Sequence, residues 1–276
     1  MLTIGEGGVA VVTGAAGGLG QGIARAAATR GMAVVATDID ADRLAISVNE
    51  LVDDGHQVVG RAADVTNAEA MAGLAEFAIA EFGRVDLVCN NAGKTLVKGV
   101  HELTLDDWKQ VFALNVDGVI NGVSAFLPVM MEQGFGHLNA TASVNAFKGD
   151  LFQAPYNASK AAVPALMESV LMDLREIGSE VTASVLCPGP IATDIMLRAI
   201  GDDEETRQEV HGLLNQGMNP REAGRITIDA IAEGRFWIFT HPVLYDTIRA
   251  KNDNMMRDGS LQADLEWPWD ELFSGS

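Results

Sequence analysis

A chain of 276 residues that is 48% hydrophobic can bury a large core, which excludes a disordered protein. Its formal charge of −19, from 38 acidic against 19 basic residues, opposes phosphate backbones and anionic membrane surfaces, so nucleic acid and membranes are not expected partners. Solubility is the plainer use of that acidity.

Short apolar runs alternate with helical stretches along the chain. GVAVVT (8–13) reads as a buried strand, GLGQGIARAAATRG (18–31) as a helix ending at Gly31, and MAVVATD (32–38) as a second strand. Residues 41–53 and 67–82 carry helical spacing on either side of a third strand near 57–63. VDLVCN (85–90) is the fourth strand, before a long helix at 106–132. A strand at 136–142, a helix at 155–177 and a strand at 180–186 follow. After Pro188-Gly189-Pro190 a charged helical stretch runs to about 217, then a helix (219–233) and a strand (235–239). Repeated strand–helix units predict an α/β fold: a doubly wound parallel sheet of seven strands, helices on both faces, in a single domain. Residues 1–240 form that domain and 241–276 read as an extension outside the core.

The first strand-to-helix junction is Thr13-Gly14-Ala15-Ala16-Gly17-Gly18-Leu19-Gly20. Glycines 14, 18 and 20 let the backbone turn tightly and approach a pyrophosphate, while the helix N-terminus offers free N–H groups and partial positive charge. Glycine-rich turns also arise for steric reasons alone, but here a strand precedes, a helix follows, and an acid, Asp38, lies 18 residues past Gly20. A carboxylate there accepts hydrogen bonds from the adenosine ribose hydroxyls and repels a 2′-phosphate. The other role open to Asp38 is to cap the next helix, as Asp40 also can. No arginine follows Asp38 directly and the glycine turn carries no basic residue, so NAD is favoured over NADP.

Tyr156 and Lys160, four apart at a helix start, share one helix face. A free phenol ionises near 10, and a neighbouring ammonium lowers that value towards a usable general base. Ser143, at the end of the strand LNATAS, is placed to orient a substrate oxygen, or else simply caps the strand end. Cys89 and Cys187 are too few for a disulfide framework and are expected as buried thiols. The five histidines lack metal-ligand spacing, so no metal is expected. Without a leader or an apolar run of about 18 residues, the reading is cytoplasmic.

Taken together, Thr13-Gly14-(x3)-Gly18-Leu19-Gly20, Asp64-Val65, Asn90-Asn91-Ala92-Gly93, Asn115, Ser143, Tyr156-(x3)-Lys160 and Pro188-Gly189-Pro190-Ile191-Ala192-Thr193 resemble the short-chain dehydrogenase/reductase family in its single-domain form, over residues 8–240. The resemblance implies a Rossmann fold and a role for each residue. Asp64 and Val65 contact adenine; Asn91, Ala92 and Gly93 line the cofactor ribose; Pro188, Gly189, Ile191 and Thr193 border the nicotinamide, whose carboxamide Ile191 and Thr193 fix. Lys160 holds the nicotinamide ribose, Asn115 holds a water that links Lys160 to solvent, Tyr156 exchanges the proton and Ser143 holds the oxygen. It further implies a homodimer or homotetramer built on the 106–132 and 155–177 helices.

By the same resemblance Leu96, Val97, Ala146, Phe147, Leu151, Phe152, Ile195, Met196, Leu197 and Ile200 line the substrate pocket, although each can equally pack the core. That lining favours a bulky, mostly apolar secondary alcohol or ketone. Segment 194–217 reads as a lid, with Asp202-Asp203-Glu204-Glu205 on its solvated surface. Lys94 and Lys98 sit at the rim as solvated charges or as a greeting for an anion. The chain departs from the family at His137-Leu138-Asn139-Ala140, at Asn145 and in its length after residue 240. Trp267 and Trp269 are expected to be exposed, on another subunit or disordered. The competing readings are an epimerase or dehydratase acting through a transient hydride, and an NAD-sensing or scaffold protein on the same fold.

Overall fold

The computed structural model describes residues 1–195, 216–259 and 266–268. Seven parallel strands form one sheet: β1 (Val9–Thr13), β2 (Ala33–Thr37), β3 (Val58–Gly60), β4 (Leu87–Asn90), β5 (Gly136–Thr141), β6 (Val181–Cys187) and β7 (Trp237–Phe239), in the order β3-β2-β1-β4-β5-β6-β7. The order reverses between β1 and β4, which leaves a crevice at the carboxyl ends of those strands where open α/β sheets bind ligands.

Alternate residues of each strand feed two cores, as a parallel sheet covered on both faces requires. On one face Ala10, Val12, Val34, Leu87 and Leu186 meet α1 (Gly18–Thr29), α2 (Ala41–Asp53) and α7 (Pro220–Ala232). On the other, Val11, Val35, Val88, Leu138 and Val185 meet α3 (Ala68–Phe82), α5 (Gly118–Gln133) and α6 (Ala154–Glu176). Side chains start the helices cleanly: Asp40 caps α2, Asn67 caps α3, and Thr104 with Asp107 forms a capping box for α4 (Leu105–Phe112).

Three findings differ from the sequence reading. The 106–132 helix runs as α4, a π turn at Ala113–Asp117 and α5; the wide turn carries Asn115 inward, fully buried. Residues 105–133 also reach the length and mean hydropathy, 1.4, of a membrane span, but their apolar side, with Val111, Val119, Phe126 and Met130 buried, is spent on the core. Lastly, residues after 240 are not all outside the core. A 3-10 turn (Pro242–Leu244) leads into α8 (Tyr245–Asp258), and Leu244 and Trp267 form a small third core with Val144.

Candidate active site

The carboxyl ends of β1 to β6 supply the site. After β1, Gly14 turns with φ 68° and a Cβ there would lie 3.0 Å from the Ala92 Cα, while a Cβ on Gly20 would lie 2.0 Å from the Gly14 carbonyl oxygen. Only glycine fits this close approach. Gly17 caps α1 with no side-chain acceptor, and no acid stands in the first helical turn, so that end is electrostatically suited to a phosphate. Leu19 lies in that first turn, partly buried against the core. Asp38 at the end of β2 accepts from the Ala16 N–H at 3.1 Å and from the Asp40 N–H at 3.1 Å. Asp40, not Asp38, caps α2, so the Asp38 carboxylate is left facing the glycine turn.

The turn is less free of cations than its sequence indicates. From α2, the Arg43 guanidinium reaches Asp194 at 3.6 Å and would lie 3.3 Å from a Cβ on Gly17. Thr193 closes the same turn from the opposite side, its methyl 3.1 Å from where a Gly18 Cβ would be. The segment before it is anchored by bonds between Ala192 N and Met218 O and between Met218 N and Pro190 O, both 3.0 Å, while Ile191 is buried. The Gly189 N–H donates to the Thr240 hydroxyl at 3.1 Å, and the Pro188 carbonyl accepts from Val144 N–H at 3.0 Å.

Beyond β3, Asp64 accepts from the Thr66 N–H (2.9 Å) and hydroxyl (2.8 Å), and the buried Val65 presents its carbonyl to Asn121 Nδ2 at 2.9 Å. Beyond β4, Asn91 ties three strands together. Its N–H donates to the Thr13 hydroxyl (2.9 Å), its Nδ2 donates to the Thr13 carbonyl (3.0 Å), and its Oδ1 accepts from the Thr141 hydroxyl (3.2 Å). Ala92 also donates to the Thr13 hydroxyl, and a Cβ on Gly93 would lie 3.2 Å from Asn115 Oδ1 and 3.3 Å from Lys160 Nζ.

Ser143, Tyr156, Lys160 and Asn115 converge on this edge. Ser143 is buried; its hydroxyl accepts from the Asn145 N–H at 3.1 Å and is also a hydrogen-bond partner of the Tyr156 phenol. The cap read from the sequence is therefore present, beside a contact to Tyr156 that the sequence reading did not include. Burial pushes the phenol above its ordinary value, the Ser143 contact draws it down and Asp150 pushes it up.

The Lys160 ammonium donates to the Thr141 carbonyl at 2.7 Å, lies 5.8 Å from the Tyr156 ring centroid, and is brought down to about 8 by burial. Asn115 exchanges two bonds with the Lys94 backbone and donates to Ser159 Oγ, all at 2.9 Å; Ser159 in turn donates to the Tyr156 carbonyl at 2.8 Å. Sequence reasoning missed Ser159, whose only signal was its place between Tyr156 and Lys160.

The expected substrate lining divides. Leu96, Val97, Ala146 and Ile195 are partly buried, and Leu151 and Phe152 are exposed. Phe147 instead packs against Trp237 and Phe239 with ring centroids 5.7 and 5.6 Å away. Met196, Leu197, Ile200, Asp202–Glu205 and most of the 194–217 segment lie outside the described residues, as does Trp269. At the rim, Lys98 pairs with Asp107 at 2.9 Å and Lys94 Nζ with Gln110 at 3.2 Å.

A family profile described as short chain dehydrogenase matches residues 8–204. The chain belongs to this family. Its members are oxidoreductases that use a nicotinamide cofactor, and the strand-end glycines, Asp38 and the buried Lys160 fit that group. The chain is 35% identical over 261 residues to 1-deoxy-11-beta-hydroxypentalenate dehydrogenase of Streptomyces exfoliatus, covering 91% of this chain and 90% of that one. It superimposes on a short-chain dehydrogenase/reductase of Burkholderia phymatum in complex with NAD at a TM-score of 0.86, with 34% identity and coverage of 92% and 96%. It also matches an alcohol dehydrogenase from the archaeon Thermococcus sibiricus complexed with 5-hydroxy-NADP, at a TM-score of 0.70, 27% identity and coverage of 82% and 90%.

Proposed function

We propose that this chain is an NAD-dependent dehydrogenase for a bulky, mostly apolar secondary alcohol, with Tyr156 as general acid/base. The observation that carries this reading is the Tyr156 phenol partnered by Ser143 with the Lys160 ammonium beside it, at the sheet edge that also holds the glycine turn. A bound nicotinamide would supply the hydride acceptor for the carbinol carbon. Tyr156 takes the alcohol proton and Ser143 fixes the alcohol oxygen. Lys160 supplies the positive charge that offsets burial of the phenolate, and Asn115 with Ser159 holds the Tyr156 turn in place. Gly14, Gly18, Leu19 and Gly20 hold the pyrophosphate, Asp38 the adenosine ribose, and Asp64 and Val65 the adenine. Asn91, Ala92 and Gly93 line the ribose side, and Pro188, Gly189, Ile191 and Thr193 the nicotinamide.

Asp38, aimed at the glycine turn, supports NAD over NADP. Arg43 beside Gly17 is the one feature that favours a second reading, in which a 2′-phosphate is tolerated. Two buried free thiols, Cys89 and Cys187, agree with a cytoplasmic setting. The exposed Leu105, Ile120, Met131 and Met172 on α4, α5 and α6 support self-association through those helices.

The test is turnover of a panel of secondary alcohols, aliphatic to polycyclic, with NAD⁺ and separately NADP⁺. Tyr156→Phe is expected to reduce turnover by on the order of 10²–10⁴-fold while NADH still binds. Turnover that survives this change removes Tyr156 from the chemistry, and equal use of NADP⁺ selects the second cofactor reading.

A further inference from the structure

The chain beyond residue 240 returns to the active site from two directions. Leu244 packs fully buried against Val144, immediately after Ser143, and the Lys251 ammonium of α8 donates to the Phe147 carbonyl. Farther on, Trp267 is 3% exposed, and its indole N–H donates to Asp150 Oδ1 at 2.9 Å. The Lys148 ammonium lies 4.7 Å above the same indole and 3.6 Å from the same carboxylate oxygen. Asp150 is also tied to the catalytic helix. Its Oδ2 accepts from Asn145 Nδ2 at 3.4 Å, Asn145 Nδ2 donates to Asn157 Oδ1 at 3.0 Å, and Asn157 Nδ2 donates to the Asp150 carbonyl at 2.8 Å. Asn157 is next to Tyr156 in the chain.

The 144–152 loop opens with a 3-10 turn at Val144–Ala146, but its later residues are solvent-facing. Leu151 is 81% exposed, and Phe152 is 59% exposed with φ 59°, a left-handed conformation that disfavours a bulky side chain. A strained, solvent-facing loop keeps one shape only when its surroundings impose it. The loop's ends are tied by Val144 N–H to the Pro188 carbonyl (3.0 Å), by Phe147 on Trp237 and Phe239, and by Lys98 N–H to the Phe152 carbonyl (2.7 Å). Asp150 and Lys148 in its middle are held by Trp267 from the C-terminal segment and by Asn145 and Asn157.

We propose that Trp267 is a positioning residue: by latching Asp150 and Lys148 it fixes the 144–152 loop, and with it Ser143, in the arrangement that meets the Tyr156 phenol. This rests on the dehydrogenase reading for the roles of Ser143 and Tyr156, but the latch itself does not. Leu244, Lys251 and Trp267 then back the loop that follows Ser143. The latch also sets where the Asp150 charge stands relative to the phenol, on which it already acts. Among the described residues, the charged groups at this junction include Asp150 and Lys148 of the loop, Lys160 of α6, Lys251 of α8 and the exposed Glu266 beside Trp267.

Hydrogen exchange of the full chain tests the latch without any substrate. In Trp267→Ala, amides of 144–152 exchange on the order of tenfold faster while sheet amides are unchanged; Trp267→Phe, which keeps the ring and loses the N–H, falls between. Unchanged loop exchange, or a rise spread evenly over the chain, overturns the latch. With a turned-over alcohol, Trp267→Ala lowers kcat by roughly ten- to a hundredfold at unchanged KM for NAD⁺. A looser loop with wild-type kcat overturns the positioning role.

If no alcohol is turned over, Tyr156 ionisation decides instead. The chain has two tyrosines, so Tyr245→Phe leaves Tyr156 alone to be titrated by absorbance. In that background Asp150→Asn lowers the midpoint, while Trp267→Ala raises it by loosening the Ser143 contact that draws the phenol down. A midpoint that neither change moves overturns the proposal.

Discussion

Lys160 Nζ donates to the Thr141 carbonyl oxygen at 2.7 Å, so the ammonium beside Tyr156 is held by the backbone at the end of β5 and not by a carboxylate. Burial without a counter-charge brings its titration from 10.5 down to about 8. The folded chain therefore binds fewer protons than the unfolded chain between pH 8 and 10.5, and its stability rises with pH across that window by up to about 3 kcal/mol. Lys160→Met is expected to lack this rise. It is more stable than wild type at pH 7 and loses turnover by on the order of 10²–10⁴-fold. Urea unfolding at pH 7 and pH 10, with kinetics at pH 7, checks both; a variant with the wild-type pH dependence shows that Lys160 is not the buried cation described.

Gly20→Ala puts a methyl 2.0 Å from the Gly14 carbonyl and 2.7 Å from Asn91 Nδ2, with backbone on one side and a three-strand tie on the other. Neither can yield without moving the turn. The expected cost is about 1–3 kcal/mol of stability, as for other overpacked sites. NADH affinity falls by at least about tenfold, because the turn itself carries the phosphate-facing N–H groups. Fluorescence titration with NADH reads the second effect, and undiminished affinity would place the pyrophosphate elsewhere.

Much of this arrangement was legible in the sequence because it follows from periodicity and local chemistry. Seven apolar runs set the seven strands, and glycines, Asp38, Tyr156 and Lys160 lie within short spans whose spacing carries their geometry. What stayed hidden depends on contacts distant in sequence. Trp267 meets Asp150 across 117 positions, and no local pattern distinguishes a tail tryptophan that docks from one that is free. Arg43 reaches Gly17 only because α2 folds back beside α1. The π turn at 113–117 likewise leaves the apolar periodicity of α4 and α5 unbroken enough to read as one helix.

His137 marks a departure whose consequence is electrostatic. It is buried in β5, where Asn139 Nδ2 donates to Ser184 Oγ (2.8 Å), Ser184 Oγ is 2.7 Å from His137 Nε2, and His137 Nδ1 is 2.8 Å from Thr182 Oγ1. Thr182 and Ser184 thus give both ring nitrogens a partner. Burial, first, holds the imidazole down to about 4. The unfolded state then binds the extra proton first, and stability falls as pH drops from 6.5 towards 4, by up to about 3 kcal/mol from this residue. His241, also brought to about 4 by burial, adds a second share. Chemical unfolding at pH 7 and pH 5 should show a smaller difference in His137→Val than in wild type; an equal difference assigns the acid sensitivity to other groups.

Asn115 and Ser159 link the π turn to the tyrosine helix, and removing either separates structure from chemistry by degree. Asn115→Ala strands the Lys94 N–H and carbonyl and removes a donor to the Ser159 hydroxyl oxygen, at a cost of about 2–4 kcal/mol. Ser159→Ala removes one bond to Asn115 and one to the Tyr156 carbonyl, costing about 1 kcal/mol and leaving the chain folded. Its milder change makes Ser159→Ala the informative variant. If Asn115 acts by fixing the Tyr156 turn, Ser159→Ala lowers kcat by roughly tenfold with KM for NAD⁺ unchanged, because only the placement of the phenol is affected. A rise in that KM at constant kcat would instead assign the pair to cofactor binding through Gly93, whose Cβ position lies 3.2 Å from Asn115 Oδ1.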